Sequence, residues 1–210
     1  MEPISGIVVA GGVSRRLGQD KRALRLWGEG GPTLLEHTVG VLAPLCAELV
    51  VVLNDSQAWP QLQVTLVADA YPDAGALGGI ATGLRVARHD YALVVAADMP
   101  LLDADLLAAM LARPRTYQAL VPRTPHGKTR NALGFEPLHA VYSQACLPVL
   151  RAMLDAGERR VVDFLAHIRV EVFEPSLTHD AAHYRESFMN INTPADLAAV
   201  QARLHMGGAE

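Results

Sequence analysis

Between residues 7 and 21 the chain reads Ile-Val-Val-Ala-Gly-Gly-Val-Ser-Arg-Arg-Leu-Gly-Gln-Asp-Lys, a set of residue types suited to holding phosphate. A short β-branched run enters a loop with paired glycines, two arginines, a third glycine and a lysine. Gly11 and Gly12 have no Cβ, so backbone amides there can close on a ligand. Successive amides of that kind form an anion-binding concavity, and Arg15, Arg16 and Lys21 add charge matched to a polyphosphate. The spacing is not that of a P-loop, since Lys21 comes three residues after Gly18 and Arg22 follows it. It is not G-x-G-x-x-G either, because Gly11 and Gly12 are adjacent. The plainer alternative is a glycine-rich turn with a solvated basic flank.

Other polar residues stand just after apolar runs: Asn54 after Leu49 to Leu53, Asp69 after Val64 to Val67, and Asp98 after Leu93 to Ala96. In an open α/β sheet, ligands sit beyond the carboxyl ends of the strands where strand order reverses, so these residues converge with Gly11 and Gly12. A carboxylate such as Asp98, at a buried strand end beside a polyphosphate, suits Mg²⁺, which takes few protein carboxylates plus phosphate oxygens and water. A cap for the following segment is the alternative for Asp98, although Asp103 fills that role better. The chain has no H-E-x-x-H or C-x-x-C, and Ser14 lies in the glycine loop without a recognisable base, which argues against a hydrolase nucleophile.

The elements that must position these residues follow from hydrophobic periodicity. Strands are predicted at Ile7 to Ala10, Leu49 to Leu53, Val64 to Val67, Leu93 to Ala96, Ala119 to Val121 and Ile168 to Phe173. Helices are predicted from Leu34 to near Pro44 with Thr33 as cap, at Leu77 to Arg88, Ala104 to Ala112, Gln144 to Asp155 and Arg160 to His167. A last helix opens at Thr193-Pro194. The alternation implies an α/β fold, three-layered and doubly wound, with a mostly parallel, Rossmann-like sheet. One domain over 1–204 is expected, with a nucleotide-binding half (1–122), an acceptor-binding half (123–204) and a frayed tail at 205–210. Residues 123–131 are polar and basic, read either as a hairpin over the site or as a solvated loop.

The chain has 210 residues, half of them hydrophobic, and a net charge of −4. That is enough for one substantial core, and it argues against general nucleic-acid binding. Any phosphate must be held by a local cluster. Two cysteines far apart, no secretory signal and no long uncharged apolar run point to a cytoplasmic protein without a membrane span.

The segment Ala10-Gly11-Gly12-x-Ser14-x-Arg16-x-Gly18-x-Asp20-Lys21 resembles the signature of small nucleotidyltransferases, most closely the molybdenum cofactor guanylyltransferase family. Leu17 stands where methionine is usual there, and Val9 replaces a leucine. Asp69 to Gly79 resembles the family's G-P-L-G-G loop, with Ala76 in place of proline. Glu136 to Tyr142 resembles H-P-L-H-A-V-Y, and Phe188 to Leu197 resembles F-x-N-I-N-T-P-E-D-L.

The resemblance implies transfer of GMP from GTP to the phosphate of molybdenum-molybdopterin, with release of pyrophosphate and use of Mg²⁺. Molybdoenzymes or their chaperones are the implied recipients. Lys21, Arg16 and Asp98 would be catalytic, with Asp98 holding the metal. Val9, Ala10, Gly11, Gly12, Ser14, Asn54, Asp69 and Gly78 would bind the nucleotide. A gap-free match puts Leu53, not Asn54, at the family's asparagine. His139, Asn190 and Asn192 are candidates for the acceptor, against plain core or backbone-satisfying roles; the two asparagines are expected to share one face of a strand. A CTP-using or sugar-phosphate nucleotidyltransferase, or a non-catalytic assembly protein, remains the alternative.

Overall fold

The computed structural model describes residues 2–11, 17–123, 134–174 and 181–207. Seven strands, β1 (Ser5–Val9), β2 (Glu48–Val52), β3 (Thr65–Val67), β4 (Tyr91–Ala96), β5 (Ala119–Pro122), β6 (His139–Ser143) and β7 (Val170–Phe173), form one sheet in the order β3-β2-β1-β4-β6-β5-β7. β1 pairs in parallel with both β2 and β4, and only β6 runs against its neighbours. From β1 the chain moves outward through β2 to β3, then returns to place β4 on the other side of β1. Strand order therefore reverses between β1 and β4, which opens a crevice at their carboxyl ends.

Alternation along the strands sorts side chains into two apolar layers. On one face Val8, Val51 and Val95 pack with Leu35 and Leu42 of α1 (Leu34–Leu42) and Leu106, Leu107 and Met110 of α3 (Ala104–Leu111). On the other, Ile7, Val50 and Val94 meet Leu77, Ile80 and Leu84 of α2 (Gly75–Val86), with α4 (Leu147–Asp155) and α5 (Val161–Leu165) beside it. The result is the expected three-layer α/β arrangement. A full capping box opens α1: Thr33 accepts from the Glu36 amide while Glu36 accepts from the Thr33 amide. Asp103 caps α3, as its sequence position implied.

Several expectations need correction. β6 was not legible as a strand, because its pairing with β4 and β5 is non-local. A short helix, α6 (Ala181–Glu186), was also missed. Residues 189–193 form no strand and are docked at the site by the Ile191 amide donating to the Asp98 carbonyl at 2.9 Å. The closing helix α7 (Pro194–Gly207) continues past Leu204, where fraying was expected. Leu197 and Leu204 pack against the small cluster of Leu34, Ile191 and Val200, which extends this helix's apolar support. Residues 208–210, and the basic segment 124–130, lie outside the described residues.

α2 can approach β1 because small residues face it. A Cβ on Gly83 would come within 2.4 Å of Ile7 Cγ2, and one on Gly79 within 2.6 Å of Val9 Cγ1. Ile7 is fully buried and β-branched, so its methyl cannot swing aside. Alanine's helix propensity gains about 1 kcal/mol over glycine, but overpacking costs up to about 3 kcal/mol. Gly83→Ala is therefore expected to lower stability by about 1–2 kcal/mol, seen as a lower denaturant midpoint at unchanged m-value. A midpoint at or above that of the parent would contradict this packing account.

Candidate active site

The crevice at the switch point measures about 430 Å³ and is lined by Val9 at the end of β1 with Ala10 and Gly11 after it, Asn54 after β2, Asp69 after β3, and Ala97 and Asp98 after β4. Lys21, Arg22, Asp73, Gly75, Ala76, Gly79 and Leu138 complete it. A wider groove of about 610 Å³ runs along α1, Glu48 and Thr65. It lies at the amino ends of β2 and β3, away from the convergence of polar residues.

Lys21 stands at the start of a short 3-10 turn, Lys21–Ala23, whose cap is Asp20: its carboxylate accepts from the Arg22 amide. That turn directs the Lys21 ammonium to Asp98, with Nζ 2.5 Å from Oδ2. The ammonium also donates to the Ile191 carbonyl and to Asn192 Oδ1, each at 3.3 Å. Both charged side chains are mostly enclosed, Lys21 at 20% and Asp98 at 15% exposure, so the attraction is screened less than at an open surface. Three segments far apart in sequence thus close on one cation.

On the β2–β3 side, Leu53 is fully buried while Asn54 lines the crevice. Asn54 Oδ1 accepts from the Asp69 amide at 2.9 Å, tying the ends of β2 and β3 together. Asp69 Oδ1 accepts from the Tyr71 amide and the Thr82 hydroxyl at 3.0 and 2.9 Å. Both bonds fall on one oxygen, which fixes the carboxylate while Oδ2 carries none among the described residues. The next turn is bent by Asp73 and Gly75, at φ of 64° and 61°, and delivers the first turn of α2 to the crevice. Its cap residue Ala74 provides no side-chain hydrogen bond, so the leading amides of α2 keep their capacity for an anion.

Gly78 does not line the crevice. It packs against the Tyr71–Ala74 turn, where a Cβ would lie 2.9 Å from the Tyr71 carbonyl, and Gly79 lines the wall in its place. Gly12, Ser14 and Arg16 lie outside the described residues. Asn192 joins the Lys21 cluster, whereas Asn190 turns its amide back to the Phe188 carbonyl at 3.4 Å.

His139 is displaced from the role expected of it. Period-two alternation on β6 sends its ring into the core beneath Phe188, at a centroid distance of 4.8 Å, and leaves Leu138 on the crevice. Neither ring nitrogen has a hydrogen-bond partner among the described residues.

The residue that sequence reasoning missed is Arg22. It lines the crevice, makes paired bonds to Asp20 and Asp55, donates to the Ala10 carbonyl and lies 5.6 Å over the Trp59 ring. Arg22 holds the Asp20 carboxyl below the usual range, and its own guanidinium is pushed up, chiefly by the Asp20 bond. Nothing in the spacing of Asp20, Arg22, Asp55 and Trp59 announces this assembly.

Comparison with known proteins agrees with the geometry. The family model described as "MobA-like NTP transferase domain" matches residues 6–170. The chain is 47% identical over 202 residues to the "Probable molybdenum cofactor guanylyltransferase" of Chloroflexus aggregans, covering 96% of this chain and 95% of that one. It is 30% identical over 207 residues to the "Molybdenum cofactor guanylyltransferase" of Desulfosudis oleivorans, covering 99% and 98%. The solved structure of molybdopterin-guanine dinucleotide biosynthesis protein A from Archaeoglobus fulgidus aligns with a TM-score of 0.80 at 24% identity, over 97% of this chain and 100% of that one. The 2-C-methyl-D-erythritol 4-phosphate cytidylyltransferase of Thermus thermophilus aligns with a TM-score of 0.67 at 21% identity, over 97% and 99%. The two structural likenesses establish the fold.

The buried ring of His139 gives the molecule an acid-side signature. Desolvation lowers its pKa from 6.5 to about 3. Between these values the unfolded chain binds a proton that the folded chain refuses, so this contribution to stability is complete above pH 6.5 and is lost as pH falls toward 3. The slope approaches about 1.4 kcal/mol per pH unit at most. His139→Leu is expected to flatten the pH dependence of the denaturant midpoint in that window. An unchanged slope would mean that the ring reaches water in solution.

Proposed function

The chain belongs to the family of MobA-like NTP transferase domains, and on that premise we propose that it transfers GMP from GTP to the terminal phosphate of molybdenum-molybdopterin, releasing pyrophosphate. The observation that carries the reading is the Lys21 ammonium, held at the switch point by Asp98, Asn192 and the Ile191 carbonyl. The relatives' names supply guanine and the molybdopterin acceptor. Molybdoenzymes or their chaperones as recipients, and the cytoplasm as the compartment, belong to the same proposal. Two free cysteines support a reducing compartment. No described helix is long and apolar enough to cross a membrane.

The described crevice wall carries two cations, Lys21 and Arg22, against three carboxylates, Asp69, Asp73 and Asp98. Such a wall repels a triphosphate unless further positive charge arrives with it. Arg15 and Arg16, close in sequence to Gly11, would supply part of that charge, and a divalent ion would supply the rest. The donor set fits Mg²⁺: Asp98 is a hard carboxylate next to amide and carbonyl oxygens that already enclose one cation. Mg²⁺ takes most of its ligands from phosphate and water, so a single protein carboxylate suffices. When bound, Mg²⁺ would neutralise phosphate oxygens and orient the leaving pyrophosphate.

The chain's own groups account for the rest of the transfer. The amide of Gly11 and the leading amides of α2 cradle phosphate oxygens. Asp69 and Asn54 would meet the nucleoside, and Asn192, beside Lys21, would meet the acceptor; Asn190 turns back to the Phe188 carbonyl. The acceptor's phosphate oxygen attacks the α-phosphorus. That P–O bond forms as the bond to pyrophosphate breaks, and the leaving group takes the electron pair. The acceptor is already an anion, so no general base is required. Lys21 and Arg16 stabilise the charge that spreads over the phosphate oxygens.

Lys21→Ala is expected to reduce turnover of GTP with molybdopterin-loaded acceptor by about 10²- to 10³-fold, and undiminished turnover would remove Lys21 from the mechanism. Thermal stabilisation by GTP, CTP and ATP, each with and without Mg²⁺, tests the substrate. A rise in Tm with GTP that grows on adding Mg²⁺ is expected. A response to CTP alone would transfer the protein to cytidylyl chemistry, and no response to any nucleotide would contradict the enzymatic reading.

A further inference from the structure

All five N–H donors of Arg22 are committed. Nε and Nη2 hold the two oxygens of Asp20 at 2.9 and 2.7 Å, and Nη1 and Nη2 hold those of Asp55 at 2.7 and 2.6 Å. The remaining Nη1 donor goes to the Ala10 carbonyl at 3.2 Å. With five donors and no acceptor, the guanidinium is saturated. It lines the crevice with only 14% of its side chain exposed, between two carboxylates and over an indole. A cation so neutralised has little to offer a phosphate directly.

Its effect falls instead on the peptide it grips. The Ala10 amide is fixed to the Val52 carbonyl at 2.9 Å, which anchors the peptide before it. In a planar trans peptide, C=O and N–H point in opposite directions. A hydrogen bond to the Ala10 carbonyl therefore fixes the direction of the Gly11 N–H, away from Arg22. Gly11 has no side chain to restrain its rotation and nothing within 4 Å of a built Cβ, so without that bond the peptide is free to turn over.

We propose that Arg22 is a positioning residue that presets the Ala10–Gly11 peptide, and through it the leading amide of the phosphate-binding turn. This rests on the reading of the crevice as a nucleoside triphosphate site. Asp20 and Asp55 are the struts of the device. Asp20 also caps the turn that presents Lys21, so one guanidinium sets amide and ammonium to a common frame. Lysine cannot replace it: three donors from a single nitrogen cannot span two carboxylates and a carbonyl.

Calorimetric affinities for GTP and for guanosine, both with Mg²⁺, test this on the full chain, Arg22→Met and Arg22→Lys, with Tm measured alongside. Because the amide serves phosphate and not the nucleoside, both variants are expected to lose about tenfold or more in GTP affinity, while guanosine affinity stays within twofold of the parent's. Arg22→Lys keeps the charge, so a loss there assigns the effect to fork geometry and covers the case in which Arg22→Met folds poorly. An unchanged ratio of GTP to guanosine affinity in both variants would overturn the proposal, as would an equal loss for both ligands, which would mark general loosening. Failure of the parent chain to bind GTP would instead overturn the functional reading beneath it.

Discussion

The ion pair between Lys21 and Asp98 is the constraint on which the crevice depends. Lys21 comes from the loop after β1, Asp98 from the end of β4, and the two strands are neighbours only because the sheet reverses its order between them. The same aspartate accepts the Ile191 amide on its backbone carbonyl, so the segment before α7 is docked by the residue that binds the lysine. Ile191 itself is fully buried against Leu34 and Val200. Packing of an apolar side chain thus holds Asn192 beside a cation.

This arrangement also explains why charge is concentrated rather than spread. The chain as a whole is acidic, and every described cation in the crevice is already matched by carboxylates. A bound polyphosphate would have to compete with Asp98 for Lys21, while Arg22 is committed to its struts. Asp98 would hold a divalent ion, whose charge would weaken that carboxylate's grip on the Lys21 ammonium. Glycines at 79 and 83 serve the same end from behind, by letting α2 lie close enough to β1 for its first turn to form the opposite wall.

The first half of the fold was legible because each parallel strand is a short apolar run ending in a polar residue, and each buried helix has local caps. Asp98 and Asp69 were legible as strand-end residues in an α/β sheet, and Lys21 as the lysine that closes the glycine-rich segment. Beyond residue 122 the information is less local. The stretch from His139 to Ser143 is recognisable as a strand only from its partners, and the alternation that seemed to make Asn190 and Asn192 equivalent lacks a sheet to enforce it. Their side chains part, one to Lys21 and one to the Phe188 carbonyl. Leu53 continues the apolar run into the core, whereas Asn54 turns to the crevice. Arg22 was hidden because its partners, 2, 12, 33 and 37 residues away, meet only in three dimensions.

The most direct measurement is a crystal structure with a non-hydrolysable GTP analogue and Mg²⁺. The account predicts the triphosphate across the Gly11 turn, the metal on Asp98, and Lys21 Nζ moved from that carboxylate to a phosphate oxygen. A nucleotide bound elsewhere, with the Lys21–Asp98 contact intact and the crevice closed by side chains, would contradict it.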